Sequence, residues 1–520
     1  MTRPRPLRTG FLTGLAWLLA CAVPAQPDPR RFEEQLLQTE RVARGQELAR
    51  RHCATCHQLP RPEQLDRQAW VEGVLPWMMG LLGLAPEVLP GGREGERIRR
   101  SGMVLPQAAM SRDDWWDIVA YYVAGAPTNR PASVAGGEPA LWPGVQAQPV
   151  RVGGDDPQTL LVQAAPAQGG FWLSDGRTSE LRLLTAAGEE RAARRLPSPA
   201  VSLAEGAHGL VAACIGRFSP TEEALGSVVR VPLTDGLPGE PAVLLRDLPR
   251  PVHVAEADLN RDGRPDLVVS MFGWYSGRFA WFEALAEGGY REHVLLPRPG
   301  ALRAEIRDLT GDGRPDLAVL VAQATEALFL YVNDGRGGFL SRIALERPPS
   351  HGHTSFELVD FDADGRPDLL VTNGDAGDYP ARPRPDHGVR VYLDRGGLRF
   401  EEALFLPLPG ACRAVARDLD GDGDLDLAAI AYYPDFSSRR DGGLALWRQD
   451  APGVFTRLRV DGAALGRWLS LDAGDLDGDG RQELILGSAR QGPGRTAYVP
   501  ADLDRLWRTN GLAALVLRLP

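Results

Sequence analysis

From residue 150 onward the chain alternates short apolar runs with polar turns, and the runs are strand-length rather than helix-length. Five of them, at 267–269, 317–321, 369–371, 427–430 and 484–486, directly follow a loop of one pattern, D-x-[DNT]-x-D-G-x-x-[DE]. The loops begin at Asp258, Asp308, Asp360, Asp418 and Asp475, spaced 50, 52, 58 and 57 residues apart. Each unit contains a strand, the acidic loop, a second strand and then two more, as at 278–282 and 293–296. A repeat of about 54 residues with several strands per unit is a β-propeller blade. At that period 141–520 accommodates about seven units, so two units without acidic loops fit before residue 250, with strands at 171–173, 180–184, 210–213 and 228–231. The expectation is an all-β propeller of seven blades over 150–520, five of them carrying the loop.

The N-terminal portion has a different period. Residues 41–51 read as a helix, and 112–123 as another, with Ser111 as N-cap and Asp114 three residues on as its capping-box partner. The second helix places Trp115, Ile118, Val119 and Tyr122 on one face. The fold class is therefore multidomain: a small all-α domain over 28–126, a Pro-, Ala- and Gly-rich linker over 127–149, then the propeller. Residues 1–25 read as an export signal, with Arg3, Arg5 and Arg8 ahead of an apolar stretch at 11–20 that is too short to span a bilayer. Two processing readings stay open. Leu18-Leu19-Ala20-Cys21 resembles a bacterial lipobox with Cys21 as the lipid anchor, and Val23-Pro24-Ala25 suits an ordinary signal peptidase. The protein is expected to be exported, periplasmic or at the outer membrane or cell surface.

Composition sharpens the picture. The chain has no lysine, so its 58 basic residues are all arginine. That excludes a P-loop lysine, a Schiff-base lysine and a kinase strand lysine. A formal charge of −10 argues against nucleic-acid binding. Gly (59) and Pro (43) are abundant, as a turn-rich chain requires. Five cysteines are too few for a disulfide scaffold, and Cys214 and Cys412 fall in different blades, as buried thiols. No serine-hydrolase elbow, HExxH or Gly-rich phosphate loop is present.

Cys53-Ala54-Thr55-Cys56-His57 is a CxxCH motif. Two thiols at this spacing reach both vinyl groups of one haem, and the adjacent histidine lies under the iron as an axial ligand. A thioredoxin-like pair would follow a strand rather than a helix, and a zinc site needs a second Cys or His pair nearby. Four of the six methionines, Met78, Met79, Met103 and Met110, lie between this motif and the last helix. Met78 is favoured as sixth iron ligand over Met103, against a reading in which all four fill the core. The surrounding stretch resembles a small c-type cytochrome domain, and its segment from Trp70 through Met78 resembles one found in cytochrome domains fused to repeat proteins.

In the loops, oxygens at positions one, three, five and nine converge, and glycine at six allows the sharp turn; Ca²⁺ takes six to eight such ligands. The candidate ligands are Asp258, Asn260, Asp262 and Asp266; Asp308, Thr310, Asp312 and Asp316; Asp360, Asp362, Asp364 and Asp368; Asp418, Asp420, Asp422 and Asp426; and Asp475, Asp477, Asp479 and Glu483. Thr310 and Glu483 depart from the pattern and mark weaker sites. The alternative is a set of metal-free Asx turns.

These loops resemble FG-GAP/VCBS repeats, the calcium-loop propeller units of integrin heads and of many secreted bacterial proteins. With the CxxCH domain, the chain resembles bacterial VCBS-repeat proteins that carry a c-type cytochrome; residues 354–360, 372–379 and 466–468 carry the closer match. The resemblance implies one haem c, up to five Ca²⁺ and electron transfer to a redox partner protein, and defines no reaction. Alternatives are a propeller dehydrogenase feeding its own haem, and a calcium-dependent adhesion module with a haem sensor. Three long connections gather Trp274, Tyr275, Asp378, Tyr379, His387, Tyr432, Tyr433 and Asp435, a face suited to a carbohydrate or protein ligand, with ordinary solvated loops as the plainer reading. His351, His353 and His387 are structural histidines on the plain reading and a second metal set on the other.

Overall fold

The computed structural model describes residues 36–128, 139–323, 325–377, 384–434, 436, 443–492 and 499–520. The expected export signal with Cys21, and Asp378, Tyr379 and Asp435 of the ligand face, lie outside the described residues. No helix among the described residues is long and apolar enough to cross a membrane. Contacts divide the chain into two units, a helical one and a β one.

The helical unit holds α1 (Thr39–His52), α2 (Leu75–Leu81, entered through a π-helical turn, Trp70–Val74), α3 (Gly92–Arg100) and α4 (Arg112–Gly125). Helix α4 starts where expected: the Ser111 hydroxyl accepts from Asp114 N at 3.1 Å. It buries Trp115, Ile118, Val119 and Tyr122, the face its periodicity gave, and adds Trp116, Ala120 and Val123. Helix α1 packs across it at Gly45, where a Cβ would stand 1.8 Å from Asp117 O. Arg41 locks the crossing to the Asp117 carboxylate at 2.6 Å. Trp70 and Tyr122 meet with ring centroids 4.2 Å apart; Trp70 Nε1 donates to Pro62 O and Tyr122 Oη to Pro60 O, at 2.8 and 3.0 Å.

The β unit opens with β1 (Ala140–Leu141) and β2 (Gln146–Val150). Blade one is β3 (Thr159–Ala165), β4 (Gly170–Asp175), β5 (Glu180–Thr185) and β6 (Glu190–Arg195). Blade two is β7 (Ala200–Gly206), β8 (Gly209–Cys214), β9 (Gly226–Val231) and β12 (Ala242–Leu248), with the hairpin β10 (Leu233–Thr234) and β11 (Leu237–Pro238) inserted. Blade three is β13 (Pro251–Ala257), β14 (Asp266–Met271), β15 (Arg278–Ala284) and β16 (Tyr290–Leu296). Blade four is β17 (Ala301–Arg307), β18 (Asp316–Gln323), β19 (Thr325–Asn333) and β20 (Phe339–Arg347). Blade five is β21 (His353–Val359), β22 (Asp368–Asn373), β23 (Gly388–Asp394) and β24 (Phe400–Pro407). Blade six is β25 (Ala411–Arg417), β26 (Asp426–Ala431), β27 (Leu444–Ala451) and β28 (Val454–Arg459); blade seven is β29 (Trp468–Gly474), β30 (Glu483–Ser488), β31 (Ala514–Arg518) and β2. Helix α5 (Ala501–Thr509) is inserted before β31.

This is a seven-bladed β-propeller. The first strands β3, β7, β13, β17, β21, β25 and β29 touch in that order, and β29 meets β3, so the ring is closed. Blade middles are apolar and sealed: β14, β18, β22, β26 and β30 are buried along almost their whole length. Acidic loops occupy the turn from first to second strand in blades three to seven, and blades one and two carry none, as the period implied.

The expected linker needs correction at its C-terminal end. Residues 146–150 form the outer strand of blade seven, pairing Gln146 with Arg518 and Val150 with Ala514, and β1 adds in parallel to the outer edge of blade six. N- and C-terminal strands of the unit thus share one sheet, which closes the ring by hydrogen bonds rather than by side-chain packing alone. Deleting 139–150 is expected to lower the thermal midpoint of the β unit and broaden its transition more than deleting 139–145, which keeps β2 and loses only β1 and the buried Trp142; differential scanning calorimetry of both variants checks this.

Candidate functional site

Each acidic loop is shaped by its own backbone. The position-one carboxylate accepts N–H groups from the turn: Asp258 from Gly263 at 2.9 Å, Asp308 from Gly311 and Gly313 at 2.7 Å each, and Asp360 from Gly365 at 3.0 Å. Asp418 takes Gly421 and Gly423 at 2.7 and 3.1 Å, and Asp475 takes Gly478 and Gly480 at 2.7 and 2.9 Å. The position-six glycines have φ between 75° and 97°, which a Cβ would resist.

Position nine is a bolt. Asp266, Asp316, Asp368 and Asp426 are fully buried; one oxygen accepts from the position-two N–H and the other from the third strand, at Ala284, Asn333, Asp394 and Gln449 respectively, all at 2.8 to 3.0 Å. Glu483 keeps the first bond, to Leu476 N at 2.8 Å, and its other oxygen lies 4.0 Å from Arg518 Nε. Burial pushes Asp266 and Asp426 up to about 6, with neighbouring loop carboxylates adding to the rise. Asp308, wrapped in backbone N–H groups, is instead held below the usual carboxylate range.

Three loops bring carboxylate oxygens within 4.8 Å of one another: Asp360, Asp362 and Asp368; Asp418, Asp420 and Asp426; Asp475, Asp477 and Glu483. In the first two loops position three is Asn260 or Thr310. In blades three to five the position-seven arginine pairs with the position-five carboxylate, Arg264 with Asp262, Arg314 with Asp312, and Arg366 with Asp364, and its Nε donates to the end of the third strand. The 418 loop has Asp424 there instead, so five carboxylates crowd one turn, and Asp420, Asp424 and Asp426 are all shifted upward, mainly by burial. It is the most anionic of the five.

In the helical unit, Cys53 opens a 3₁₀ turn that continues the end of α1. Its thiol is half-buried against the core, and burial pushes it up to about 11; Cys56 is exposed. His57 Nδ1 lies 2.9 Å from Gln58 O, which sets the tautomer with Nδ1 protonated and Nε2 bare. Burial holds this imidazole below its usual value, which favours its neutral form. Met78 and Met110 pack on the core that Cys53 touches; Met103 follows α3, where its N–H donates to Ser101 Oγ at 3.2 Å. Trp115 Nε1 is buried in the same core with no hydrogen-bond partner among the described residues.

The long connections from second to third strand open on the end of the propeller opposite the acidic loops, since consecutive strands run antiparallel. Their aromatic residues are mostly not available there. Tyr275 is buried and donates its N–H to Glu222 Oε1 at 2.8 Å; Tyr432 is buried, with Oη on Ala489 O at 3.1 Å; His387 is 1% exposed. These three belong to the packing of the loop bases, which corrects the expected ligand face; Trp274 and Tyr433 are half-exposed. His351 and His353 stand with ring centroids 4.7 Å apart, and His353 Nδ1 lies 3.1 Å from Glu326 Oε2. Burial and nearby arginines pull His353 down to about 3, so the pair is neutral. The sequence reading missed Arg467, buried under Tyr432 at 3.9 Å with its guanidinium on the Tyr432 and Arg490 carbonyls; nothing in the repeat pattern distinguishes it.

Replacing Asp368 by Asn sets an amide nitrogen against a backbone N–H, and the expected loss is about 1–3 kcal/mol by urea unfolding in a chelator. Asp362→Asn, at an exposed position of the same loop, stays within about 0.5 kcal/mol under those conditions.

Residues 308–371 and 431–486 match the model of the FG-GAP-like repeat. Among solved structures, BBS1N in complex with ARL6DN is similar at 14% identity, covering 74% of this chain and 98% of that one, with a TM-score of 0.43. The Neurospora crassa Pan2 WD40 domain is similar at 9% identity, covering 70% and 90%, with a TM-score of 0.43. The Myceliophteria thermophila Cps50 (Swd1) β-propeller domain is similar at 12% identity, covering 72% and 100%, with a TM-score of 0.42. A search among curated proteins returns no match. Blade count, loop spacing and the repeat match describe a seven-bladed β-propeller with FG-GAP-like repeats.

Proposed function

We propose that this chain is an exported mono-haem c-type cytochrome joined to a calcium-binding propeller, and that it transfers electrons while the propeller docks a protein or carbohydrate partner. One observation carries the reading: Cys53, Cys56 and His57 follow the end of α1 with the histidine tautomer set to leave Nε2 for iron. The residues present fit the group. Cys53 and Cys56 would hold haem through thioether bonds, His57 would be the proximal ligand and Met78 the distal one. The buried, unpartnered Trp115 indole N–H is a donor for a polar edge within the same core. Bound haem supplies a one-electron iron couple; the chain's own part is to orient the imidazole, exclude water with the Trp70, Trp115 and Tyr122 core, and keep His57 neutral.

The loops fit Ca²⁺ on similar grounds. Hard oxygens lie within reach of one another in three of them, and crowded carboxylates with raised pKa are relieved by a cation. Asp418, Asp420, Asp422 and Asp426, with Asp424 beside them, would hold the tightest ion, because Asp424 replaces the position-seven arginine that pairs with the loop in blades three to five. The signal sequence favours export, which covalent haem attachment also requires.

Expressed in a host that attaches haem, the chain is expected to keep haem through a denaturing gel and to show the reduced α-band of a c-type cytochrome. Cys53→Ala with Cys56→Ala abolishes both, and Met78→Ala removes the weak red band of methionine ligation. A wild-type protein without retained haem overturns the cytochrome reading. Separately, Ca²⁺ at about 100 times its dissociation constant adds about 2.7 kcal/mol per site if the unfolded chain does not bind it. The thermal midpoint is therefore expected to rise with Ca²⁺ and fall with chelator, most weakly for Asp420→Asn; an unchanged midpoint overturns calcium loading.

A further inference from the structure

We propose that the central channel of the propeller, at the end opposite the acidic loops, binds a small oxyanion ligand, a carboxylate or a phosphate, between Arg303 and Arg413. The proposal concerns the β unit alone and does not depend on haem or calcium.

The channel is lined by the seven first strands, and all seven carry a register shift at the same place, between their first and third residues. Such a bulge re-aims the residue that follows it. The residues after the seven bulges are Leu161, Ser202, His253, Arg303, Ser355, Arg413 and Ser470, so one layer of the channel holds two guanidiniums, an imidazole and three hydroxyls. The column is visible in the sequence five residues before each acidic loop, where the metal-ligand reading passes over it. Two residues further along the strands comes an acidic layer with Glu305, Glu357 and Asp472.

The acidic layer is satisfied. Glu305 accepts Arg303 Nε at 3.1 Å and Leu358 N at 3.0 Å; Glu357 takes Arg417 at 2.5 Å; Asp472 accepts Ala164 N at 2.9 Å. In the basic layer Arg303 is paired with Glu305, and Arg413 is left with unused donors. Arg413 has one hydrogen bond among the described residues, to the neutral Ser355 Oγ at 3.0 Å, and forms no ion pair there. Arg413 is half-buried and its remaining donors are not sealed by protein, whereas the Ser470 hydroxyl is buried against Gly487 and out of reach of a ligand. His253 Nδ1 is spent on Ala304 N at 3.4 Å. Burial, then the charge of Arg303, pulls the Arg413 guanidinium down to about 10, and burial followed by Arg303 and Arg413 holds His253 well below its usual value. Arg303 and Arg413 therefore stand beside a neutral imidazole, with Glu357, Asp472 and Glu305 offsetting part of the charge on Arg413 and its remaining donors unused. An anion whose paired oxygens accept the guanidinium forks relieves the repulsion and uses those donors. The carboxylates below set how deep it goes. The second strands end at this mouth, so a ligand entering from that end reaches Arg413 before the acidic layer.

Isothermal titration of the full chain with inorganic phosphate, and separately with acetate, at fixed ionic strength tests this. One saturable site for at least one probe is expected, and which probe binds tells phosphate from carboxylate. Arg413→Gln and Arg303→Gln should each weaken that binding about tenfold or more. Arg413→Gln also loses the bond to Ser355 and a positive charge beside Asp472, so both variants are titrated at a temperature where circular dichroism shows them folded. Failure of both probes to bind, or binding that survives both substitutions, overturns the proposal.

Discussion

A closed ring of blades leaves seven strand edges facing its own axis, and their N–H groups have no further strand to pair with. Among the described residues this edge is satisfied by side chains reaching from one blade to the next. Ser202 Oγ accepts from Val254 N at 3.3 Å, His253 Nδ1 from Ala304 N, Glu305 from Leu358 N and Asp472 from Ala164 N. At the joint between blades five and six the bonds run between side chains instead, Arg413 to Ser355 and Arg417 to Glu357. Buried amides must find partners, and here the partners also set the angle between blades. The ring can close only if these columns stay polar, so charge on the axis follows from the closure itself.

The two ends of the propeller differ for the same reason. First strands run from the long connections to the acidic loops, so one end gathers arginine and hydroxyl groups and the other gathers carboxylates. Each acidic loop is tied to its blade by a buried position-nine carboxylate, whose desolvation is offset by two backbone hydrogen bonds in blades three to six and by one in blade seven. Where arginine stands at position seven, part of the loop's charge is already neutralised. Where Asp424 stands, it is not, and the loop is left with the strongest demand for a cation.

Much of this was legible from the chain. The loop period gave seven blades and located the two without loops; Ser111 and the face of α4 emerged where capping and periodicity put them. The closing strand was hidden because 146–150 reads Gln-Ala-Gln-Pro-Val, a polar, proline-containing edge strand whose partners lie more than 360 residues away. The aromatic ligand face misled because burial, not exposure, explains Tyr275 and Tyr432 at the bases of their loops. The channel column was present in the alignment of the repeats, but its chemistry appears only once the strands are set in a ring.

The cross-blade bonds at the axis are tested most directly by amide hydrogen exchange of the native chain. The N–H groups of Ala164, Val254, Ala304 and Leu358 border an open channel, yet hydrogen bonding to the neighbouring blade should make them exchange as slowly as the second strands β14 and β18. Exchange as fast as that of the outer strands β16 and β24 would contradict this account of how the ring is held.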